Sequence, residues 1–302
     1  GVADLVADLA GRTPTCGCPR LMRVLIAGCG DVGSVLAELL LADGHVVYGL
    51  KRDTSSLPGG VHAVPADLLR PDTLNDLPAD IDTLVYMPTP GSRDKAGYEA
   101  IFIEGWQNLW DALGQEPQRT VVVSSTAVYG QSDGAMVDED TPVGPARFNG
   151  EILVQMERLA ARCTDRLVVA RISGIYGPGR ERLIRQAATE GLEVQQTPPF
   201  YTNRIHRDDA AAALKHLLEL EEPRSLYVVT DDRPAPRFDV VEWLAKAQGK
   251  PAPTPVTDQH AGQGKRASNR RLRASGFVLR YPDYRAGYGA LLKLREQNQT
   301  AL

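Results

Sequence analysis

Residues 24–33 read Val-Leu-Ile-Ala-Gly-Cys-Gly-Asp-Val-Gly, an apolar run that breaks at Gly28 and passes through Gly30 to Gly33. Helix-like spacing follows from Ser34 to Leu41, and a second apolar run covers Val46 to Leu50. Strand, glycine turn, helix and strand, in that order, are the setting in which such glycines hold a nucleotide. The first permits a tight turn, the second lets backbone approach a pyrophosphate, and the third lets helix pack on strand. The helix amides, starting at Asp31, Val32 and Gly33, then face the phosphates. The segment predicts a dinucleotide site.

The end of the second strand bears on which dinucleotide. A site for NAD carries Asp or Glu about 20 residues beyond the motif, on the ribose 2′-hydroxyl. Lys51 and Arg52 stand at that place, and Asp53 comes after them. Two cations suit a 2′-phosphate, so NADP(H) is favoured, with NAD(H) as the alternative.

Working outward, apolar runs alternate with helical spacing. Val61 to Val64, Asp82 to Met87, Thr120 to Ser125 and Leu167 to Ile172 read as strands; Tyr98 to Leu113 and Glu151 to Arg162 read as helices. This alternation predicts an α/β fold, a Rossmann-type doubly wound parallel sheet with a smaller C-terminal substrate lobe. Ligands in such sheets bind beyond the carboxyl ends of the strands. Attention therefore falls on Gly28 to Gly33, Lys51, Asp67, Leu68, Met87, Pro88, Thr89, Ser124 to Thr126, Ile172, Gly174 and Tyr176. The expected divisions are an extension or remnant over 1–21, a nucleotide-binding domain over 22–176 and a mainly substrate-binding lobe over 177–302. Residues 204–230, with a helix at Asp208 to Leu220 and a strand at Leu226 to Thr230, are expected to return to the first domain. Pro251 to Gly264 reads as a mobile loop, and Val2 to Leu9 as a helical turn or two.

Composition narrows the class. With 34 Lys and Arg against 38 Asp and Glu, the net charge of −4 provides no basic field for nucleic acid. No apolar run approaches the ~18 residues of a membrane span. Cys29 lies inside the glycine turn and Cys163 on a predicted helix, so no disulfide framework appears and a reducing cytoplasm is expected. Cys16 and Cys18 alone make no zinc site, and no metal is expected.

From Met22 onward the chain resembles the short-chain dehydrogenase/reductase superfamily in its extended, epimerase/dehydratase-like form. Beside the glycine motif, Ala66-Asp67-Leu68 matches the segment whose acid binds adenine. Ser124-Ser125-Thr126-Ala127-Val128-Tyr129-Gly130 matches the strand carrying the catalytic serine. Asp138-Glu139-Asp140-Thr141-Pro142, Arg171 to Gly179 and Arg204-Ile205-His206-Arg207-Asp208-Asp209 match three further family segments. The resemblance implies a serine that holds the substrate oxygen and a Tyr-x-x-x-Lys pair that moves the proton. No tyrosine lies between Val137 and Ile175; Asn149 and Leu153 take the two positions, or Phe148 and Ile152 if the match slips by one. The chain thus resembles the atypical branch, which keeps the serine and loses the pair. It also implies a homodimer through Tyr98 to Leu113 and Glu151 to Arg162.

Asn149 cannot titrate near neutrality and Leu153 cannot lower a neighbour's pKa. Replacement candidates are Tyr176, if a cation lowers its phenol, and His206, whose ordinary pKa is near neutrality. Ser125 and Thr126 supply hydroxyls for a substrate oxygen, and Arg147 is placed to clamp an anion. Three functions stay open: an NADP(H)-dependent oxidoreductase or isomerase acting on an unidentified small carbonyl or hydroxyl compound, a catalytically silent NADP(H) sensor, and a nucleotide-sugar epimerase or dehydratase. Thr202 and Asn203, where sugar-nucleotide relatives often place an arginine, count against the last.

Overall fold

The computed structural model describes residues 21–300. The helical turn expected over 2–9 and the Cys16–Cys18 pair lie outside them. Seven strands, β1 (Arg23–Ala27), β2 (Val46–Lys51), β3 (His62–Pro65), β4 (Thr83–Tyr86), β5 (Arg119–Ser125), β6 (Leu167–Ile172) and β7 (Leu226–Val229), form one parallel sheet. Their order is β7-β6-β5-β4-β1-β2-β3. Every residue of β4 and β6 is buried, as continuous apolar runs covered on both faces require. Only β3, at the edge, exposes most of its residues.

The helices α1 (Asp31–Ala42), α2 (Gly105–Ala112), α3 (Phe148–Cys163) and α4 (Arg207–Glu219) alternate with these strands. The strand order reverses between β1 and β4, and the register pairs Ala27 with both Leu50 and Tyr86. The ends of three strands thus come level at the switch point, where open α/β sheets bind ligands.

The helix expected over Tyr98 to Leu113 is broken. A short helix, Lys95–Glu99, passes into a π-helical turn, Ala100–Glu104, before α2 begins. The cause lies beneath it: the buried Tyr86 hydroxyl donates to the Ile101 carbonyl, a competitor for the helix's own hydrogen bonding. Gly105 makes the room, since a Cβ there would stand 3.1 Å from that hydroxyl and 3.3 Å from Leu68 Cβ.

Packed beside the π turn and α2, α3 is tied down by charge. Glu157 and Arg171 form a two-pronged pair, Nε to Oε1 at 3.0 Å and Nη2 to Oε2 at 2.6 Å, and Ser124 donates to Oε1 at 2.5 Å. All three are buried. Arg119, opening β5, donates to the carbonyls of Leu218 (2.6 Å), Leu220 and Glu221 (3.2 Å), closing the otherwise unsatisfied end of α4.

The chain divides into two compact units. One holds 21–128, Pro145–Arg171 and Ala211–Tyr227; the other holds Tyr129–Gly144, Ile172–Ala210 and 228–300. This differs from the expected boundaries at 129–144, at 172–176, at 204–210 and at 228–230. The strand Asp133–Val137 explains the first difference: it pairs in parallel with Gly264–Ala267, within the second unit. The second unit's core gathers Tyr176, Ile184, Val240, Leu244, Tyr284 and Tyr288. Part of the segment read as a mobile loop is a strand, Thr254–Thr257, paired with Glu193–Thr197. Pro255 is tolerated there because a two-stranded ribbon is all edge.

Removing one partner of a buried ion pair strands the other. Glu157→Leu is expected to cost about 3–5 kcal/mol in urea unfolding, and Glu157→Leu with Arg171→Leu to recover part of that loss.

Candidate cofactor site

The glycine turn has three different steric reasons, one for each glycine. At Gly28 φ is +86°, and a Cβ would lie 2.4 Å from Pro88 Cα and 2.6 Å from Pro88 N. The turn is clamped there: Gly28 and Cys29 amides donate to Leu50 O at 2.9 and 3.2 Å, and the Met87 amide donates to Ala27 O at 2.9 Å. At Gly33 a Cβ would sit 3.3 Å from Ile26 Cγ2, so α1 lies directly on β1. At Gly30, which caps α1, a Cβ would meet nothing closer than Gly28 O at 3.9 Å. The protein itself imposes no need for glycine at 30; a group approaching from outside would. Residues Asp31, Val32 and Gly33 form the first turn of α1, whose amides open onto this space.

Beyond the turn lies a cavity of about 390 Å³. Gly28, Gly30, Lys51, Arg52, Asp67, Leu68, Pro88 and Thr89, all singled out in the sequence, line it. Asp31, Val32, Gly33, Met87, Ser124, Ile172 and Gly174 do not. Gly33 and Met87 stand behind the wall, with Met87 Sδ 3.5 Å from where a Gly33 Cβ would be. The Ser124 hydroxyl is spent on Glu157 inside the core. Ile172 is buried at the end of β6, and exposed Gly174 opens a short strand of the second unit.

Sequence reasoning missed the wall made by Gly91, Ser92, Gly97, Ala100 and Ile101. The run Pro88-Thr89-Pro90-Gly91-Ser92 marked a loop there, but nothing local signalled the π turn that brings Ala100 and Ile101 to the cavity.

Several lining residues have settled partners. Asp67 Oδ1 accepts the Leu69 amide at 3.0 Å, and Asn108 donates to Leu68 O at 2.9 Å. Lys51 Nζ donates to Ser56 Oγ at 2.8 Å. Asp53 is absent from the wall; hydrogen bonds from Ser55, first its hydroxyl and then its amide at 2.9 Å, hold the carboxyl pKa below the ordinary value. Burial pushes the Cys29 thiol up to about 11 despite Lys51, leaving it protonated and inert.

At the end of β5, half-buried Ser125 accepts the Ala127 amide at 3.1 Å on its Oγ, and buried Thr126 opens a 3₁₀ turn. The start of α3 presses on this turn, since a Cβ at Gly150 would fall 2.4 Å from Ala127 O. Asn149 and buried Leu153 occupy the first two turns of α3. In the alternative match, Ile152 is buried and Phe148 stands edge-on to Tyr98 at 5.6 Å. Neither match brings a base to Ser125.

The two proposed replacements lie in the second unit, and neither has the titration the role needs. Tyr176 packs on Tyr288 at 4.3 Å and on the His206 ring at 5.4 Å. Its buried hydroxyl has no hydrogen-bond partner among the described residues. Burial, with Asp231 adding to it, drives the phenol well above its usual range, and Arg204 does not compensate. His206 is buried and accepts the Asp208 amide at 3.1 Å on Nδ1; burial lowers it to about 4, so it is neutral at pH 7. Glu139, in the acidic loop, accepts the Val228 amide at 2.7 Å and is structural.

Asp43, His45 and Glu219 converge closely enough to suggest metal ligands. Lys215 fills the gap instead, 2.5 Å from Asp43 and 2.7 Å from Glu219. Among the described residues no helix is long and apolar enough to cross a membrane.

Fold and site together define a dinucleotide-binding protein of the doubly wound α/β class. The family model for the NAD dependent epimerase/dehydratase family matches residues 24–229, and the chain belongs to that NAD(P)-binding family. A solved structure from Methylobacillus flagellatus, provisionally assigned as an NAD-dependent epimerase/dehydratase, is 42% identical, covers 91% of this chain and 99% of its own, and superposes with a TM-score of 0.79. The 3-diazoavenalumate denitrifying reductase of a Streptomyces species is 28% identical over 304 residues, 89% of this chain and 99% of that protein. The structure of human epimerase family protein SDR39U1 with NADPH is 25% identical, covers 88% and 97% of the two chains, and has a TM-score of 0.69.

The glycines separate experimentally. Gly28→Ala is expected to cost about 2–4 kcal/mol in thermal or urea unfolding, from the backbone clash and positive φ together. Gly30→Ala is expected to melt with the parent yet lose dinucleotide binding in calorimetric titrations with NAD(H) and NADP(H).

Asp231 gives a pH signature. Its Oδ1 accepts the Arg233 amide at 3.0 Å, its Oδ2 is buried without a hydrogen-bond partner among the described residues, and burial raises it to about 7. The folded pKa lies above the unfolded one, so stability falls as pH rises from about 4 through 7. Asp231→Asn is expected to raise the melting temperature most at pH 8, less at pH 5, and not at all below about pH 4.

Proposed function

We propose that the protein is an NADP(H)-dependent oxidoreductase acting on a small carbonyl or hydroxyl compound. The observation that carries the cofactor preference is the cavity wall at the end of β2, where Lys51 and Arg52 face in and the carboxylate of Asp53 is turned onto its own backbone. An NAD site wants a carboxylate at that wall; a 2′-phosphate wants cations. The NADPH held by human SDR39U1 and the reductase activity named for the Streptomyces relative support this reading.

The residues present fit the cofactor. Space over Gly30 admits a pyrophosphate, and the first-turn amides of α1 would donate to it. Asp67 would accept from the adenine amine, between Leu68 and Ile101. When bound, the nicotinamide supplies or accepts a hydride.

Ser125 would then act on the substrate oxygen. Its Oγ already accepts the Ala127 amide, so its own proton is left to donate. A donor aimed at a forming alkoxide lowers the barrier without titrating, which suits a site whose family Tyr and Lys are replaced by Asn149 and Leu153. The proton itself would come from water. A hydride exchange assisted in this way favours reduction over the base-dependent cycle of a sugar epimerase. A second reading, a silent NADP(H) sensor, draws on buried Leu153 and on the high Tyr176 and low His206.

Calorimetric titration with NADPH and NADH, followed by NADPH oxidation over a panel of aldehydes and ketones, tests the proposal. NADPH is expected to bind more tightly, and Lys51→Asp with Arg52→Ala to weaken NADPH far more than NADH. Equal weakening would overturn the preference. Ser125→Ala is expected to lower turnover about 10²–10³-fold with NADPH affinity retained; binding without turnover across the panel would favour the sensor.

A further inference from the structure

Lys51 is the only member of the cationic pair whose ammonium has a defined hydrogen-bond partner among the described residues, and that partner belongs to the same loop. Its Nζ donates to Ser56 Oγ at 2.8 Å. A lysine side chain is four freely rotating bonds carrying a point charge, and immobilising it on a ligand costs conformational entropy. A hydroxyl that accepts from it beforehand removes part of that cost.

Ser56 can do this because the loop holding it is fixed at both ends. On one side Asp53 accepts the Ser55 amide at 2.9 Å, and the Leu57 amide donates to Thr54 O at 3.1 Å, which closes a tight turn. On the other, Leu57 sits on β2: a Cβ at Gly49 would lie 2.8 Å from Leu57 Cδ2. With its Oγ accepting from the ammonium, the Ser56 hydroxyl proton is free to donate outward, beside the two remaining Nζ protons. Lys51 lines the cavity, and Ser56 stands next to it as the acceptor for its ammonium.

We propose that Ser56 is a positioning residue for cofactor discrimination: it holds the Lys51 ammonium at the cavity wall, ready for the 2′-phosphate of NADP(H). The inference rests on the NADP(H) reading and deepens it. Asp53, which in sequence looked like a misplaced ribose ligand, becomes the residue that folds the loop around this serine.

Calorimetric titrations of the parent, Ser56→Ala and Ser56→Thr with NADPH and with NADH test it. Ser56→Ala is expected to raise the NADPH Kd about tenfold, as for losing a hydrogen bond to a charged group. NADH affinity is expected to stay at the parental value, and Ser56→Thr, which keeps the hydroxyl, to restore NADPH binding. A parent that does not prefer NADPH would sink the NADP(H) reading, and this inference with it. A parent that prefers NADPH, with Ser56→Ala keeping the full preference or weakening both cofactors alike, would overturn the role of Ser56 and leave that reading standing.

Discussion

The contact between Gly28 and the Pro88 backbone governs the rest of the site. Three strand ends meet there, and the turn leaving β1 has only the volume of a hydrogen atom in which to pass β4. That closeness sets where α1 begins, how its first-turn amides are aimed, and how far the loop after β4 stands from the loop after β2. The cavity is the space these constraints leave over. Its walls are strand ends, a helix start, the loop after β4 and the π turn, and the longer side chains on them are those of Lys51, Arg52, Asp67 and Ile101.

How much of this was legible in the sequence follows the range of the interactions. The glycine turn, the strands on either side of it and the cationic end of β2 are local patterns, and each lies where the spacing put it. Non-local features were not readable. The strand Asp133–Val137 is explained only by Gly264–Ala267, more than a hundred residues away, so residues 129–144 were assigned to the wrong unit. Ser124 looked like a site residue because it neighbours Ser125, but β-strand alternation turns it the other way, into the Glu157–Arg171 pair. Thr254–Thr257 carries the prolines of a loop and pairs as a strand.

The chemistry was legible mainly as a loss. Asn149 and Leu153 announce that the helix supplies no base, and Leu153 is packed away rather than merely substituted. Burial also removes Tyr176 and His206 from the neutral range, in opposite directions and for the same reason: the uncharged form of each is the one a dry interior favours.

The π turn at Ala100–Glu104 has a bearing on how this chain is matched to its relatives. A π turn takes up one residue more than the α-helix it interrupts, so it behaves as a one-residue insertion hidden inside a helix of unchanged direction. Numbering carried from Lys95 forward and numbering carried from α2 backward therefore disagree by one when they meet. Phe102 lies inside that interval and is buried. Its counterpart in a relative shifts by one with the direction of counting, and only three-dimensional superposition assigns it.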